Sequence, residues 1–488
     1  MRNLFVSFLL MLSVAANAVS KGGIMESPRQ RLVVLTDIEN EPDDAQSIVR
    51  LLLYSNEIDI RGLVATTSTH MRFQVAPQTI LNSIEAYAKV RGNLMLHAEG
   101  YPDAEALKAV TCAGLPLYGM NGVGKGKDSD GSELIIRELK REDDRPLWVT
   151  AWGGTNVLAQ ALWKLQQTVS QKELLRLVSK LRVYTISDQD DSGSWIRKNF
   201  PSVFYIVSPG AYAHATWIGM NCNAPLADNE VVSADWLTRN IQQNHGPLGL
   251  CYPDVAYGME GDTPSFLGLI RNGLNNMEHP DWGSWGGRYE LYLPDYNFYG
   301  DMKEYTGIPI EQETRPIWTN ADDSIVVLKD GKKQSTKGFH ETIYRWRTDY
   351  QNDFAARMDW SIKPYAEANH NPIAKVSLLT GIAPYGKDNA TPQPIKGFTV
   401  KSGSVFTLDA AGSYDPDGDA ISYDWIVYPE AGTYKKMLQR YDATNMRRFR
   451  VQAPVVKKSE TLHIILRVVD KGEPRLATYK RIVIEVKP

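Results

Sequence analysis

Five carboxylates fall within eight residues: Asp37, Glu39, Glu41, Asp43 and Asp44. Like charges this dense repel one another unless something neutralises them. A hard cation with oxygen ligands, calcium above all, is the natural partner. On an exposed loop the same run is an ordinary solvated acidic turn. The flanking residues favour the metal. Leu32 to Leu35 is a short apolar run ending at Thr36 and reads as a buried strand, whereas Ala45, Ile48, Val49, Leu51 and Leu52 recur at helical spacing. Pro42 suits a first helical turn, in which Asp43 and Asp44 meet the positive end of the helix dipole. A strand that hands over to a helix places its turn at the carboxyl edge of an open α/β sheet, where ligands bind.

The elements that must position this turn follow the same alternation. Arg61 to Thr67 reads as a strand and is followed by a helix from about Pro77 to Val90. Leu147 to Ala151 reads as a strand and is followed by a helix from Val157, and Leu181 to Ile186 is a further strand. Strands alternating with helices predict a parallel sheet. Chemistry-bearing side chains cluster just past the strand ends. His70 is either a site residue or a surface histidine. Trp152 suits a sugar platform or plain packing. Asp188 sits in a carboxylate-rich segment that is either a binding turn or a solvated one. Glu260 and Asp262 precede an apolar helix start at Ser265. Trp282 and Trp285 lie among three glycines in HPDWGSWGGRY, apt for stacking on a sugar face. The Gly-rich loop from Tyr118 to Gly124 lacks the lysine-containing pattern of a phosphate loop.

The stretch Asp37-Ile38-Glu39-Asn40-Glu41-Pro42-Asp43-Asp44-Ala45 resembles the D-x-D-x-x-x-D-D-A signature of nucleoside hydrolases, with Glu39 in place of the second aspartate. Thr155-Asn156 and Asp262-Thr263-Pro264 resemble two further segments of that family, in family order. More closely, the chain is similar to a divergent secreted branch often labelled cellulose-binding, which carries an appended β-sandwich. The resemblance implies a calcium ion held by Glu39, Asp44, the Ala151 carbonyl and Asp262. It implies Glu39 as the base that takes a proton from water as the water attacks an anomeric carbon. It places Asp43 on a sugar hydroxyl and makes Asn40, His70, Asp188 and Glu260 candidate substrate contacts; Trp152, Trp282 and Trp285 have no counterpart in that family and are candidate substrate contacts by residue type. The expected activity is calcium-dependent hydrolysis of a glycosidic bond in a furanose-containing carbohydrate or an N-ribosyl compound. The alternative is a non-catalytic polysaccharide-binding protein that kept the fold.

Beyond Asn371 the pattern changes to short alternating runs, Val405–Asp409, Ser422–Trp425 and Leu462–Val469. These predict a β-sandwich of immunoglobulin or PKD type. The expected organisation is a leader over 1–18, an α/β domain over 28–370 and a sandwich over 371–488. The leader reads from Arg2, an apolar stretch from Phe5 to Val14, and Ala16-Asn17-Ala18 as a cleavage site. It predicts a periplasmic or secreted protein. The Asp415-Pro416-Asp417-Gly418-Asp419 turn suits a structural calcium, though such turns also form without one. Composition is that of a globular chain, 43% hydrophobic and 23% charged, and the formal charge of -3 offers no footprint for a nucleic-acid polymer. No stretch is long and apolar enough to span a membrane. Homo-oligomerisation is left open. The three cysteines allow one bond, Cys222 with Cys251 being the natural pair, or three free thiols.

Overall fold

The computed structural model describes residues 28–208, 212–295, 312–329, 331–380, 391–394, 397–438 and 446–488. The expected leader lies outside the described residues. An eight-stranded sheet organises the first part. In chain order its strands are β1 (Arg31–Thr36), β2 (Asp59–Ala65), β3 (Thr111–Ala113), β4 (Leu147–Ala151), β5 (Leu181–Thr185), β6 (Phe204–Val207), β7 (Tyr289–Tyr292) and β8 (Ile317–Asn320). Their spatial order is β3-β2-β1-β4-β5-β6-β8-β7. Every pairing from β3 to β8 is parallel, and β7 alone runs antiparallel, against β8.

All six residues of β1 are buried, as a near-continuous apolar strand in a doubly covered parallel sheet requires. The chain leaves β1 toward β2 on one side and later returns to β4 on the other. The order therefore reverses at β1, which opens a crevice beyond its carboxyl end. The acidic turn lies there, followed by the helix Pro42–Leu53 with proline in its first turn.

Two four-stranded sheets form the sandwich. One contains Gly397–Lys401, Ala477–Lys487, Glu460–Val469 and Ser422–Val427; the other contains Thr391–Pro394, Ser377–Thr380, Val405–Asp409 and Arg448–Gln452. Residues on the strand Glu460–Val469 face alternate sides. Leu462, Ile464, Leu466 and Val468 fill the sandwich core, while Ile465 and Val469 pack into the core of the first part. That double burial is why the run reads as almost unbroken apolar sequence.

Polar contacts reinforce the junction. Arg467 Nε donates to Asp349 Oδ2 at 2.7 Å, and the Tyr479 hydroxyl donates to the same oxygen. Arg481 donates to the carbonyls of Leu274 (3.0 Å) and Gly283 (2.7 Å). Asp417 of the Asp-rich turn is taken by the linker: His370 Nδ1 lies 3.0 Å from each of its oxygens, and His370 Nε2 lies 2.9 Å from His97 Nδ1. All three cysteines are free thiols, so the Cys222–Cys251 bond is not formed. Among the described residues no helix is long and apolar enough to cross a membrane.

Candidate metal centre

The centre is assembled from both ends of one strand-to-helix turn and one distant loop. Past Thr36 the backbone closes on itself, with Asn40 N–H donating to the Asp37 carbonyl (3.0 Å) and Ile38 N–H to Thr36 Oγ1 (3.1 Å). Asp43 and Asp44 follow in the first helical turn, and the Thr36 hydroxyl donates to Asp44 Oδ1. Asp262 arrives from the loop before the short helix Pro264–Leu267. One carboxylate oxygen from each of Asp43, Asp44 and Asp262 lies within 4.8 Å of the other two. Asp37 abuts Gly153, where a Cβ would stand 2.8 Å from Asp37 Oδ1. The segment leaving β4 therefore crosses directly beside the turn.

Asp37, Asp44 and Asp262 are almost wholly buried. Burial, then the charges of Glu41 and Asp37, pushes the Asp43 carboxyl up to about 7. Burial, with Glu41 adding to it, pushes Asp37 up to about 6. Asp44 is driven well above the carboxylate range by burial and the charges of Asp37 and Asp43, and Asp262 by burial and the charges of Asp44 and Asp43. Among the described residues no ion pair includes any of the four. Among the described residues Asp37 Oδ2 and Asp262 Oδ2 are buried without a partner. Buried charge is costly unless it is paired or coordinates a metal. A set of oxygens with no protein cation and two orphaned lone-pair donors fits a hard divalent ion such as calcium.

These shifts give a prediction for chelator-treated protein. The folded-state pKa values of Asp37 and Asp43 lie above the unfolded value, so their stabilising contribution is present at low pH and lost as pH rises through about 6 to 7. Scanning calorimetry of metal-free protein is expected to show a smaller melting-temperature loss between pH 5 and pH 8 in Asp37→Asn than in wild type. Equal losses would remove Asp37 from the coupled set.

One wall of the centre was not legible in the sequence. The Thr216–Met220 turn brings Trp217 against Gly261, where a Cβ would lie 2.9 Å from the indole and 3.0 Å from Asp43 Oδ2. Trp217 Nε1 is buried without a partner among the described residues. Tyr212 packs edge-on to Trp217 (5.9 Å), and its hydroxyl lies 2.7 Å from His70 Nε2. Burial and the carboxylates of Asp37, Glu41, Asp43 and Asp262 push the Tyr212 hydroxyl up. Loops at the carboxyl ends of strands face the crevice, so the segment after β6 carried that signal.

The family described as "Cellulose-binding Sde182, nucleoside hydrolase-like domain" matches residues 31–289. The chain belongs to this Sde182 nucleoside-hydrolase-like family. The "Cellulose-binding protein Sde0182, C-terminal domain" matches residues 405–486. A solved structure described as a nucleoside hydrolase-related hypothetical protein from Saccharophagus degradans, associated with carbohydrate metabolism, is 35% identical with a TM-score of 0.76. That match covers 94% of this chain and 100% of the other. An endo-fucoidan hydrolase of glycoside hydrolase family 107 is 11% identical over 36% of this chain and 25% of its own, and its TM-score of 0.14 carries no argument. None of the curated proteins matches.

Against the Sde182-like fold the expected residues divide into two groups. Asp43, Asp44 and Asp262 converge. Asn40 closes the turn through its backbone, and His70 stands beside the centre through Tyr212. The Ala151 carbonyl accepts the Ile186 N–H at 3.2 Å and keeps one lone pair. Glu39 is outside the converging set. With φ of +83°, its exposed side chain accepts a hydrogen bond from the Thr79 hydroxyl at the rim of the turn. A non-glycine residue held there costs about 1–3 kcal/mol and persists only when its surroundings enforce it.

The remaining expectations are corrected by burial and pairing. Asp188 is gripped by Arg197 at 2.9 and 2.7 Å, and the same buried arginine also binds Glu313. Glu260 is fully buried on Arg50 (2.5 and 3.0 Å), with the Tyr252 and Thr263 hydroxyls each donating at 2.7 Å, so no oxygen is left for a substrate. Trp152 has no exposed surface. Its Nε1 donates to Ser265 (2.8 Å) and so props the Asp262 loop from behind. Trp285 is equally buried, edge-on to Tyr350 and Tyr479 at the domain junction. Trp282 stacks on His279 with centroids 4.0 Å apart and meets His463 of the sandwich. The junction takes the rings of Trp282 and Trp285, and the packing behind the Asp262 loop takes that of Trp152.

Proposed function

We propose that this chain is an exported, calcium-dependent hydrolase of a glycosidic bond, acting on a carbohydrate. The observation that carries the reading is the cluster of Asp37, Asp43, Asp44 and Asp262 at the sheet's switch point, three of them buried, with no compensating cation among the described residues. The family's cellulose-binding label, and the association of the Saccharophagus degradans relative with carbohydrate metabolism, favour a sugar chain over a free nucleoside.

In this reading Asp43, Asp44 and Asp262 hold the ion, with the Ala151 carbonyl beside them. A bound calcium supplies a charge that fixes sugar hydroxyls and acidifies water. Asp37 and Glu41 add negative charge around the reacting carbon, which stabilises a sugar centre with oxocarbenium character. Trp217 and Tyr212 form an apolar side against which a ring rests. Glu39, oriented by Thr79 at the rim, takes the proton of the attacking water.

Glu39→Gln is expected to lower turnover by about 10²-fold or more, the usual scale for a general base. Glu41→Gln is the control for charge alone and is expected to lose less. A larger loss in Glu41→Gln would move the base to Glu41. Release of reducing sugar or free base is measured with calcium on a panel of furanosides, nucleosides and β-glucans. No release from any member sinks the catalytic reading. It then favours a binding protein, for which the locking of Glu260 onto Arg50 is the supporting observation, because that position no longer offers an acid.

A further inference from the structure

A second opening lies away from the acidic centre, where the sandwich meets the far edge of the large sheet. It is an open recess of about 1020 Å³, lined from both parts of the chain, by Glu290 and Tyr292 of β7, Lys337 of the strand Lys332–Gly338 with Phe339 just after it, and Glu430 and Lys435 of a sandwich loop. Small-molecule sites run from about 300 to 1,000 Å³, so the space suits a ligand larger than a monosaccharide.

Its floor is built. Asp323 is fully buried and accepts from Arg288 Nε (2.6 Å), Arg345 Nη1 (2.6 Å) and the Tyr428 hydroxyl. Tyr428 belongs to the sandwich, so one carboxylate ties the two parts together beneath the cavity. Glu430 Oε1 accepts the Ser324 N–H at 3.0 Å and repeats the tie at the wall. A floor held by charge-assisted bonds costs little reorganisation when a ligand arrives.

The walls carry both signs. Arg288 Nη1 sits 2.7 Å from Glu290, and Lys337 lies 3.8 Å from Asp322. Such balance favours neither an anion nor a cation, yet supplies donors and acceptors at close spacing. Tyr292 adds a half-exposed ring, anchored by its hydroxyl donating to the Asn320 carbonyl (3.1 Å), and Phe339 adds a second from the opposite side. Mixed donors and acceptors with aromatic faces are the chemistry of a neutral polyhydroxyl ligand.

The cavity wall is also joined to the acidic centre. Asn320 Oδ1 accepts from the Thr216 hydroxyl at 2.8 Å, and the next residue is Trp217, which meets Gly261 on the side of Asp43. We propose that this junction cavity binds a neutral oligosaccharide chain, so that the sandwich completes a second carbohydrate site. The proposal rests on the carbohydrate reading above.

Isothermal titration of the full chain with cellohexaose, xylohexaose and laminarihexaose tests it. Wild type is expected to bind at least one. Tyr292→Ala is expected to weaken that binding about tenfold or more, the scale of losing one anchoring aromatic. Glu290→Gln, at the rim and of little consequence for folding, is expected to weaken it less. Asp44→Asn is expected to bind as wild type does. Binding of none of the three chains overturns the proposal, as does wild-type affinity in both Tyr292→Ala and Glu290→Gln. Binding lost only in Asp44→Asn places the chain at the acidic centre, which overturns the cavity and leaves the proposed function standing. Cavity binding without bond cleavage or calcium uptake has the opposite outcome, since those are read at the acidic centre alone.

Discussion

Asp44→Asn is expected to abolish calcium binding and every calcium-dependent rise in melting temperature. The substitution keeps the shape of the side chain and an oxygen for the Thr36 hydroxyl, but removes one of four mutually repelling charges. Metal-free Asp44→Asn is therefore expected to be as stable as metal-free wild type or more so. A ligand that binds only the folded state stabilises it by about 2.7 kcal/mol at a hundredfold excess over Kd. That increment should be present in wild type and absent in the variant. Activity should vanish with it. The measurement is a pair of melting curves with and without calcium, together with calcium titration. A variant that still gains stability from calcium would place the ion elsewhere, and wild type that binds none would end the calcium mechanism.

Glu260→Ala is expected to destabilise the fold by about 3–5 kcal/mol, the cost of leaving a buried charge without its partner. Arg50 has no exposed surface and forms its ion pair with Glu260 at 2.5 Å, beside the Gln351 side chain and the Tyr350 carbonyl. The same glutamate receives two hydroxyls and has φ of +49°, so it pins the loop that delivers Asp262. Urea unfolding measures the loss. Stability unchanged while turnover collapses would instead make Glu260 a chemical residue. The double change Arg50→Met with Glu260→Leu is expected to recover much of the stability, because replacing both members by apolar groups removes the unpaired charge.

Much of the frame around these residues is local in origin. The run Leu32 to Leu35 is buried because both faces of a parallel strand are covered. The helix after Pro42 has its apolar positions where 3.6-residue periodicity puts them. The acidic turn lies at a strand end, so its place in the crevice follows from sheet topology, and Asp43, Asp44 and Asp262 were visible as carboxylates beside helix starts. The sandwich was visible through period-two runs, although Glu460–Val469 is apolar on both faces only because a second core covers it.

What each carboxylate and ring does was decided by partners far along the chain. Glu39 is oriented by a hydroxyl 40 residues on, through a left-handed backbone that spacing does not encode. Glu260 is locked by an arginine 210 residues earlier. The tryptophans that looked suited to sugar are spent on packing instead, Trp152 buried behind the Asp262 loop, Trp285 buried and Trp282 half-buried at the domain junction, while Trp217 and Tyr212, without periodic signal, form the wall beside Asp43. The residue types, the strand-to-helix turn and the sheet edge are thus legible locally, because periodicity and burial act over a few residues. Which oxygens converge and which are consumed is not, because hydrogen-bond partners and desolvation come from elements that meet after the chain has folded.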